Sequence, residues 1–416
     1  MKRVFTPAKK RTILIVDDDS LGGRIYAENL EAGGFKVEMA SRSENALEAL
    51  QRGIVDLAVV DLSLPGMDTI ELIKTIRRSA NPQAPPVIAL SNPYLRARTR
   101  AANEAGANRC VTKIDCQPEQ LIELARELGV SATRPASDRI EMAEMIRRKS
   151  IAGFFVNESE TIAKLRGSHQ PLARAQDEES RNRELIAMHR HLRVVTGGAS
   201  LLRFSKIARL SAALEGLLVE LRDKPAKVTP SAVRTIAQAI DALVALFRQA
   251  KSAADETSSS KTLVVDDEAI SREAVCSALA KAGIEPVGLE DPFAAQQLLE
   301  NERFDLVFLD VEMPGQSGLD LCVKIREMET NRTTPIVFVT SHSDFGSRAQ
   351  STLSGGNDFI AKPFLLVELA LKALIWLFKD TASSRSSPSI SPTSAADTPE
   401  PRPVEVSHQE SEAAAD

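Results

Sequence analysis

The sequence predicts an α/β fold class: two doubly wound, five-stranded parallel-sheet domains separated by an α-helical bundle. Three observations lead there. The first is an internal repeat. TILIVDD (12–18) returns as TLVVDD (262–267), VDLAVVDLSLPG (55–66) as FDLVFLDVEMPG (304–315), PVIALS (86–91) as PIVFVT (335–340), and CVTK (110–113) as FIAK (359–362). Asp17, Asp61, Ser91 and Lys113 map onto Asp266, Asp310, Thr340 and Lys362 through one constant offset of 249. The second is alternation, because within each repeat short β-branched runs take turns with longer amphipathic patterns. The third is contrast, because 151–255 carries long amphipathic patterns with few β-branched runs.

In the first repeat the runs ILIV, KVEMA, LAVV, VIAL and CVTK read as strands. The segments 20–33, 43–52, 68–79, 95–105 and 117–128 read as helices. Near-continuous apolar strands between helices imply a parallel sheet covered on both faces. The second repeat reads the same way. In the middle, helices are expected over 154–174, 178–203, 205–222 and 230–251, the last two broken apart by Pro225 and Pro230. The expected domains are 11–130, a helical linker at 131–150, the bundle at 151–255, a second α/β domain at 261–380 and a tail at 381–416. The tail has nine Ser, five Pro and almost no large apolar side chains. It cannot offset its ordering entropy and is expected to be disordered.

Composition narrows the function. The 416 residues are 43% hydrophobic, 26% charged and 4% aromatic, with 52 Lys+Arg against 57 Asp+Glu and a net charge of −5. No global attraction to nucleic acid or anionic lipid follows, and few aromatics are available for base stacking. The four cysteines form no C-x-x-C pair, so neither a zinc site nor a disulfide framework is indicated. No apolar run reaches the ~20 residues that span a bilayer, and the basic N-terminus lacks the apolar core of a signal peptide. A cytoplasmic protein is expected, without membrane insertion.

In a doubly wound fold the site lies beyond the carboxyl ends of the strands, where the anchors fall. Asp17 and Asp18 end the first strand, Asp61 the third, Ser91 the fourth and Lys113 the fifth; Asp266, Asp267, Asp310, Thr340 and Lys362 repeat the set. Three carboxylates at adjacent strand ends repel unless a cation joins them, and oxygen ligands without His or thiolate suit Mg²⁺. An anion held by Mg²⁺, a hydroxyl and a lysine is most naturally a phosphoryl group. The central Asp can act as nucleophile and form an acyl phosphate. The competing reading is a set of capping and solvated carboxylates; the same spacing twice weighs against it.

Both repeats resemble the receiver domain of two-component response regulators, a flavodoxin-like fold. The resemblance covers about 240 of the 416 residues. It implies that Asp61 and Asp310 accept the phosphoryl group and that Asp17/Asp18 and Asp266/Asp267 hold Mg²⁺ with them. It further implies that Ser91 and Thr340 are switch hydroxyls and that Lys113 and Lys362 contact the phosphate. The donor would be a histidine kinase or phosphotransfer protein. The output would pass through contacts with other signalling proteins, with receiver-mediated homodimerisation left open. The second repeat carries the family's Lys362-Pro363-Phe364 and, at Phe359, its aromatic switch residue. The first departs from the pattern at Cys110, at Ile114 in place of proline, and at Asn92, which is larger than the usual residue and expected to crowd the site. Asp61 is still expected to accept phosphate, with its output through the aromatic swing in question.

The middle resembles a histidine-phosphotransfer domain of chemotaxis kinases, on Phe155-Val156-Asn157-Glu158, HRHLRVVTGGAS (189–200), IARLSAALEGLLVEL (207–221) and 229–247. Aligned through Gly197 and Glu215, Arg193 stands where that family has its phosphorylated histidine and Thr196 where it has lysine. Arginine stays protonated and cannot carry a transferable phosphoryl group. Arg193 is instead expected to face a receiver's acidic pocket as a docking cation, with Gly197-Gly198 permitting close approach. His189 is one helical turn away and is the alternative carrier in a multistep phosphorelay; a phosphate-independent scaffold is the third reading. No helix-turn-helix and no G-x-x-x-x-G-K-[ST] motif occurs, so a phospho-accepting signalling protein is expected rather than an enzyme or DNA-binding regulator.

Overall fold

The computed structural model describes residues 10–19, 21–64, 68–78, 84–131, 136–251, 260–341 and 354–383. The first α/β domain contains β1 (Thr12–Val16), β2 (Lys36–Ala40), β3 (Leu57–Asp61), β4 (Val87–Ser91) and β5 (Arg109–Thr112). They alternate with α1 (Gly22–Ala32), α2 (Ser43–Gln51), α3 (Thr69–Arg78), α4 (Arg96–Glu104) and α5 (Pro118–Glu127). All pairings are parallel, in the order β2-β1-β3-β4-β5. The three inner strands are buried along their whole length, whereas the edge strands β2 and β5 are partly exposed. Their unbroken apolar sequences therefore have a physical cause, since helices cover both faces.

The second α/β domain repeats this with β6 (Lys261–Val265), β7 (Glu285–Leu289), β8 (Leu306–Asp310), β9 (Ile336–Thr340) and β10 (Asp358–Ala361). Its order is β7-β6-β8-β9-β10, again parallel. The helices described are α11 (Ala269–Lys281), α12 (Pro292–Asn301), α13 (Gly318–Glu327) and α14 (Leu366–Ser383). Residues 384–416 of the expected tail lie outside the described residues.

Between them run α6 (Ala136–Val156), α7 (Glu158–Arg174), α8 (Glu178–Leu201), α9 (Ser205–Asp223) and α10 (Pro230–Ala250). The division drawn at 150/151 between linker and bundle falls inside α6, which continues to Val156. The Asp177 carboxylate accepts from the Ser180 amide at 2.7 Å to start α8, and Thr229 with Pro230 starts α10. Among the described residues α10 is the one helix long and apolar enough to cross a membrane. Here its apolar face, including Ile236, Ile240, Leu243 and Phe247, is buried in the bundle core.

The bundle is fused to both sheets. One core runs from Ile13, Ile15 and Ile25 through Leu192, Leu214 and Ile240 to Val264, Leu369 and Leu374. The opposite face of each sheet has its own smaller core, with Leu14, Val60 and Ile73 in the first and Leu263, Leu309 and Leu321 in the second.

Candidate functional site

In the second domain the parallel register brings the ends of β6 and β8 side by side, so Asp266 and Asp310 face each other across adjacent strands. Asp266, Asp267 and Asp310 present oxygens that all lie within 4.8 Å of one another, and among the described residues this is the one such cluster. Lys362, just past β10, places Nζ 3.0 Å from Asp266 Oδ2 and 3.0 Å from Asp310 Oδ2. Thr340 is buried at the end of β9, and the Lys362–Pro363 peptide is cis. Three carboxylates against one ammonium leave two formal negative charges, with Asp267 open to solvent. That is the donor set and the charge a hard divalent cation fits. Burial raises the Asp310 carboxyl above its usual value, with Lys362 partly offsetting it. Burial opposes the Lys362 charge, yet its bonds to Asp310 and Asp266 push its pKa up.

The first domain builds the same frame. Lys113 Nζ lies 2.9 Å from Asp17 Oδ2 and 2.8 Å from Asp61 Oδ2. Its pocket, however, is filled. The Arg193 guanidinium, reaching out of α8, donates to Asp17 Oδ1 at 2.9 Å and also to Asp18 and Asp61. Arg193 is only 2% exposed, and Asp17 and Asp61 are as deeply buried. The expected metal ligands Asp17, Asp18 and Asp61 therefore surround an arginine, because a residue of the middle segment is long enough to reach them. Burial alone would raise the Asp61 carboxyl, but Lys113 and Arg193 together hold it below the usual range. In Asp17 burial prevails over the same two cations and raises its pKa. Lys113 is raised against its burial by Asp17 and Asp61. The Ser91 hydroxyl donates to the Val111 carbonyl at 3.2 Å.

Two of the three positions at which the first domain departs from the receiver pattern, Asn92 and Ile114, contact the bundle. Asn92 Nδ2 donates to the Ala212 carbonyl of α9 at 2.9 Å. The Ser200 hydroxyl donates to the carbonyls of Lys113 at 2.9 Å and Ile114 at 3.1 Å. The Gln117 amide donates to the Ser200 carbonyl at 2.9 Å. The glycine pair is required sterically: a Cβ on Gly197 would sit 2.4 Å from Asp19 Oδ2, and one on Gly198 2.8 Å from Phe154 and 2.9 Å from Leu21. Cys110 lies away from this interface, in the core on the far side of the sheet, with its thiol directed at the Thr99 carbonyl at 3.9 Å.

The sequence reading missed Asp19. It follows the acidic pair where the second domain has Glu268, and it is 1% exposed at the contact with α8. Its Oδ2 has no hydrogen-bond partner, and burial raises its pKa to about 6. The run of three acids was the available signal. His189 lies inside the bundle, 3% exposed, with Nε2 3.5 Å from Glu215 Oε1. Phe359 of β10 lies under Arg234 of α10, the guanidinium carbon 5.1 Å from the ring centroid.

A family model described as "Response regulator receiver domain" matches residues 13–126 and 262–373. The phosphate regulon transcriptional regulatory protein PhoB of Escherichia coli is 35% identical over 112 residues, 27% of this chain and 49% of PhoB. The sensor histidine kinase GacS of Pseudomonas protegens is 32% identical over 153 residues, 35% of this chain and 17% of GacS. The chain thus spans about half the length of the PhoB relatives it matches. Among solved structures, the receiver domain of sensor histidine kinase PA1611 from Pseudomonas aeruginosa, with magnesium in its active-site cleft, is 28% identical. It covers 28% of this chain and 98% of that one, with a TM-score of 0.27.

Proposed function

Because the chain belongs to the response regulator receiver domain family, we propose that it is a cytoplasmic two-component signalling protein that takes a phosphoryl group from a phosphohistidine onto Asp310. The observation that carries this is the convergence of Asp266, Asp267 and Asp310 opposite Lys362. Asp266, Asp267 and Asp310 would hold Mg²⁺, which when bound offsets charge on the phosphoryl oxygens. An Asp310 carboxylate oxygen attacks phosphorus, an O–P bond forms and the N–P bond breaks. The departing imidazole keeps the electron pair. Lys362 would pair with phosphoryl oxygens, and the Thr340 hydroxyl would donate to one of them.

The donor is a histidine kinase or phosphotransfer protein, and the output is a change of protein–protein contacts rather than catalysis. The bundle is read as a phosphotransfer-like domain that has lost its carrier, since Arg193 replaces the histidine and faces an aspartate pocket as that histidine would. A relay through His189 requires its imidazole to reach an aspartate, and it is enclosed beside Glu215. The filled first pocket favours a phosphate-independent, scaffolding role for that half of the chain.

Intact-mass measurement after incubation with a small-molecule phosphodonor and Mg²⁺ tests the reading. One phosphoryl group is expected on the wild-type chain and on Asp61→Asn, and none on Asp310→Asn. A phosphoryl group retained in Asp310→Asn would overturn it.

A further inference from the structure

We propose that the acidic pocket of the first receiver is a guanidinium site rather than a divalent-cation site in the intact chain, with Arg193 as its resident cation. The two pockets carry the same carboxylates and the same lysine, so the difference must come from what meets them. The outer acid of each pair is exposed, Asp267 in the second and Asp18 in the first. In the first, one guanidinium nitrogen contacts both Asp17 and Asp61 and another contacts Asp18. These are the groups that would ligate a metal. Mg²⁺ requires its oxygens at about 2.0–2.1 Å. An ion at that distance from Asp17 Oδ1 and Asp61 Oδ2 would occupy the space of the guanidinium nitrogen. Metal and arginine therefore exclude each other.

Charge and access agree with this exclusion. Guanidinium remains protonated at any pH the fold survives, so Arg193 is a permanent cation. Asp61 Oδ2, the oxygen that would attack phosphorus, already accepts from both Lys113 and Arg193 and is closed from solvent. The seal around it is extensive: Asn92 to Ala212, Gln117 to the Ser200 carbonyl, Ser200 to Lys113 and Ile114, and the two glycines of α8 against Asp19 and Leu21. With Arg193 present, divalent-metal binding at the first receiver consequently requires that α8 leave it. Docking of the bundle and metal binding at Asp17, Asp18 and Asp61 are linked equilibria of opposite sign.

The inference rests on the family reading only for its internal control, the second receiver. The test is calorimetric titration of the full chain with Mg²⁺. Wild type is expected to bind one equivalent, lost in Asp310→Asn. Arg193→Ala is expected to bind two, the second lost on adding Asp17→Asn. Gly197→Leu keeps every charge but wedges α8 away from Asp19, and it too is expected to bind two. Its value is that the result does not depend on how Arg193→Ala folds. Two equivalents in wild type, one of them lost in Asp17→Asn, would overturn the proposal. So would a single equivalent in both Arg193→Ala and Gly197→Leu with native circular dichroism. Metal bound by Arg193→Ala at the first receiver but by no variant at the second would uphold it while refuting the role given to Asp310.

Discussion

At the scale of single residues, Arg193 is the most consequential side chain in the molecule. Two carboxylates, Asp17 and Asp61, and the Lys113 ammonium are taken out of water around it, with the more exposed Asp18 at the rim. Removing one partner of such a cluster leaves buried charge uncompensated, at a cost of about 3–5 kcal/mol. Arg193→Ala is therefore expected to lower the urea midpoint substantially. Arg166→Ala, which breaks an exposed pair with Asp241 of 56% and 69% side-chain exposure, should cost no more than about 1 kcal/mol. Equal effects of the two substitutions would show that the cluster is not closed in solution. The sequence, by its resemblance to a phosphotransfer domain, leads to the expectation that Arg193 is a docking cation for an acidic pocket. It did not disclose which pocket. Both receivers offer the same carboxylates, and the choice is made by Asn92, Ser200 and Gln117, whose partners lie 83 to 120 positions away in sequence.

At the scale of elements, one face of α9 meets both receivers. A Cβ on Gly216 would sit 2.7 Å from Tyr94 of the first receiver and 3.2 Å from Val367 of the second, so α9 lies tight against both. α10 in turn meets α14 through a buried polar contact. The Ser231 and Thr235 hydroxyls donate to Glu368 Oε1 at 3.0 and 3.3 Å. Burial raises the Glu368 carboxyl above its ordinary 4.5, with Lys372 and the two hydroxyls only partly offsetting this. The folded state then binds that proton more tightly than the unfolded state. Stability contributed at this site is greatest at low pH and falls as pH rises from 4.5 through the raised value. Glu368→Gln retains an acceptor for both hydroxyls and removes the charge. It should flatten that dependence in urea titrations run from about pH 5 to about pH 8; parallel profiles for the two proteins would refute the assignment. Helix and strand positions were largely legible, because amphipathic periodicity is local. The continuity of α6 through position 150 was not, because its faces pack on α1, α7 and α8 and leave no single apolar stripe in the sequence.

At the scale of the whole molecule, one continuous core joins two sheets of the same topology that present unlike sites. The repeat spacing made the duplication visible. It could not show that one copy is closed by the chain between them, since that depends on three-dimensional proximity. The second receiver is tied to the same bundle through Phe359 beneath Arg234, through the Lys227 ammonium, which donates to the Pro363 carbonyl at 3.3 Å, and through α14. The second receiver's acidic pocket and the arginine-filled pocket thus belong to domains packed on one helical body. The central claim is that this chain has one pocket for a divalent cation and one for its own arginine. It is tested most directly by growing wild-type crystals with Mn²⁺ and collecting anomalous diffraction. The account predicts a peak among Asp266, Asp267 and Asp310, with Arg193 in contact with Asp17, Asp18 and Asp61. A peak among Asp17, Asp18 and Asp61 would contradict it.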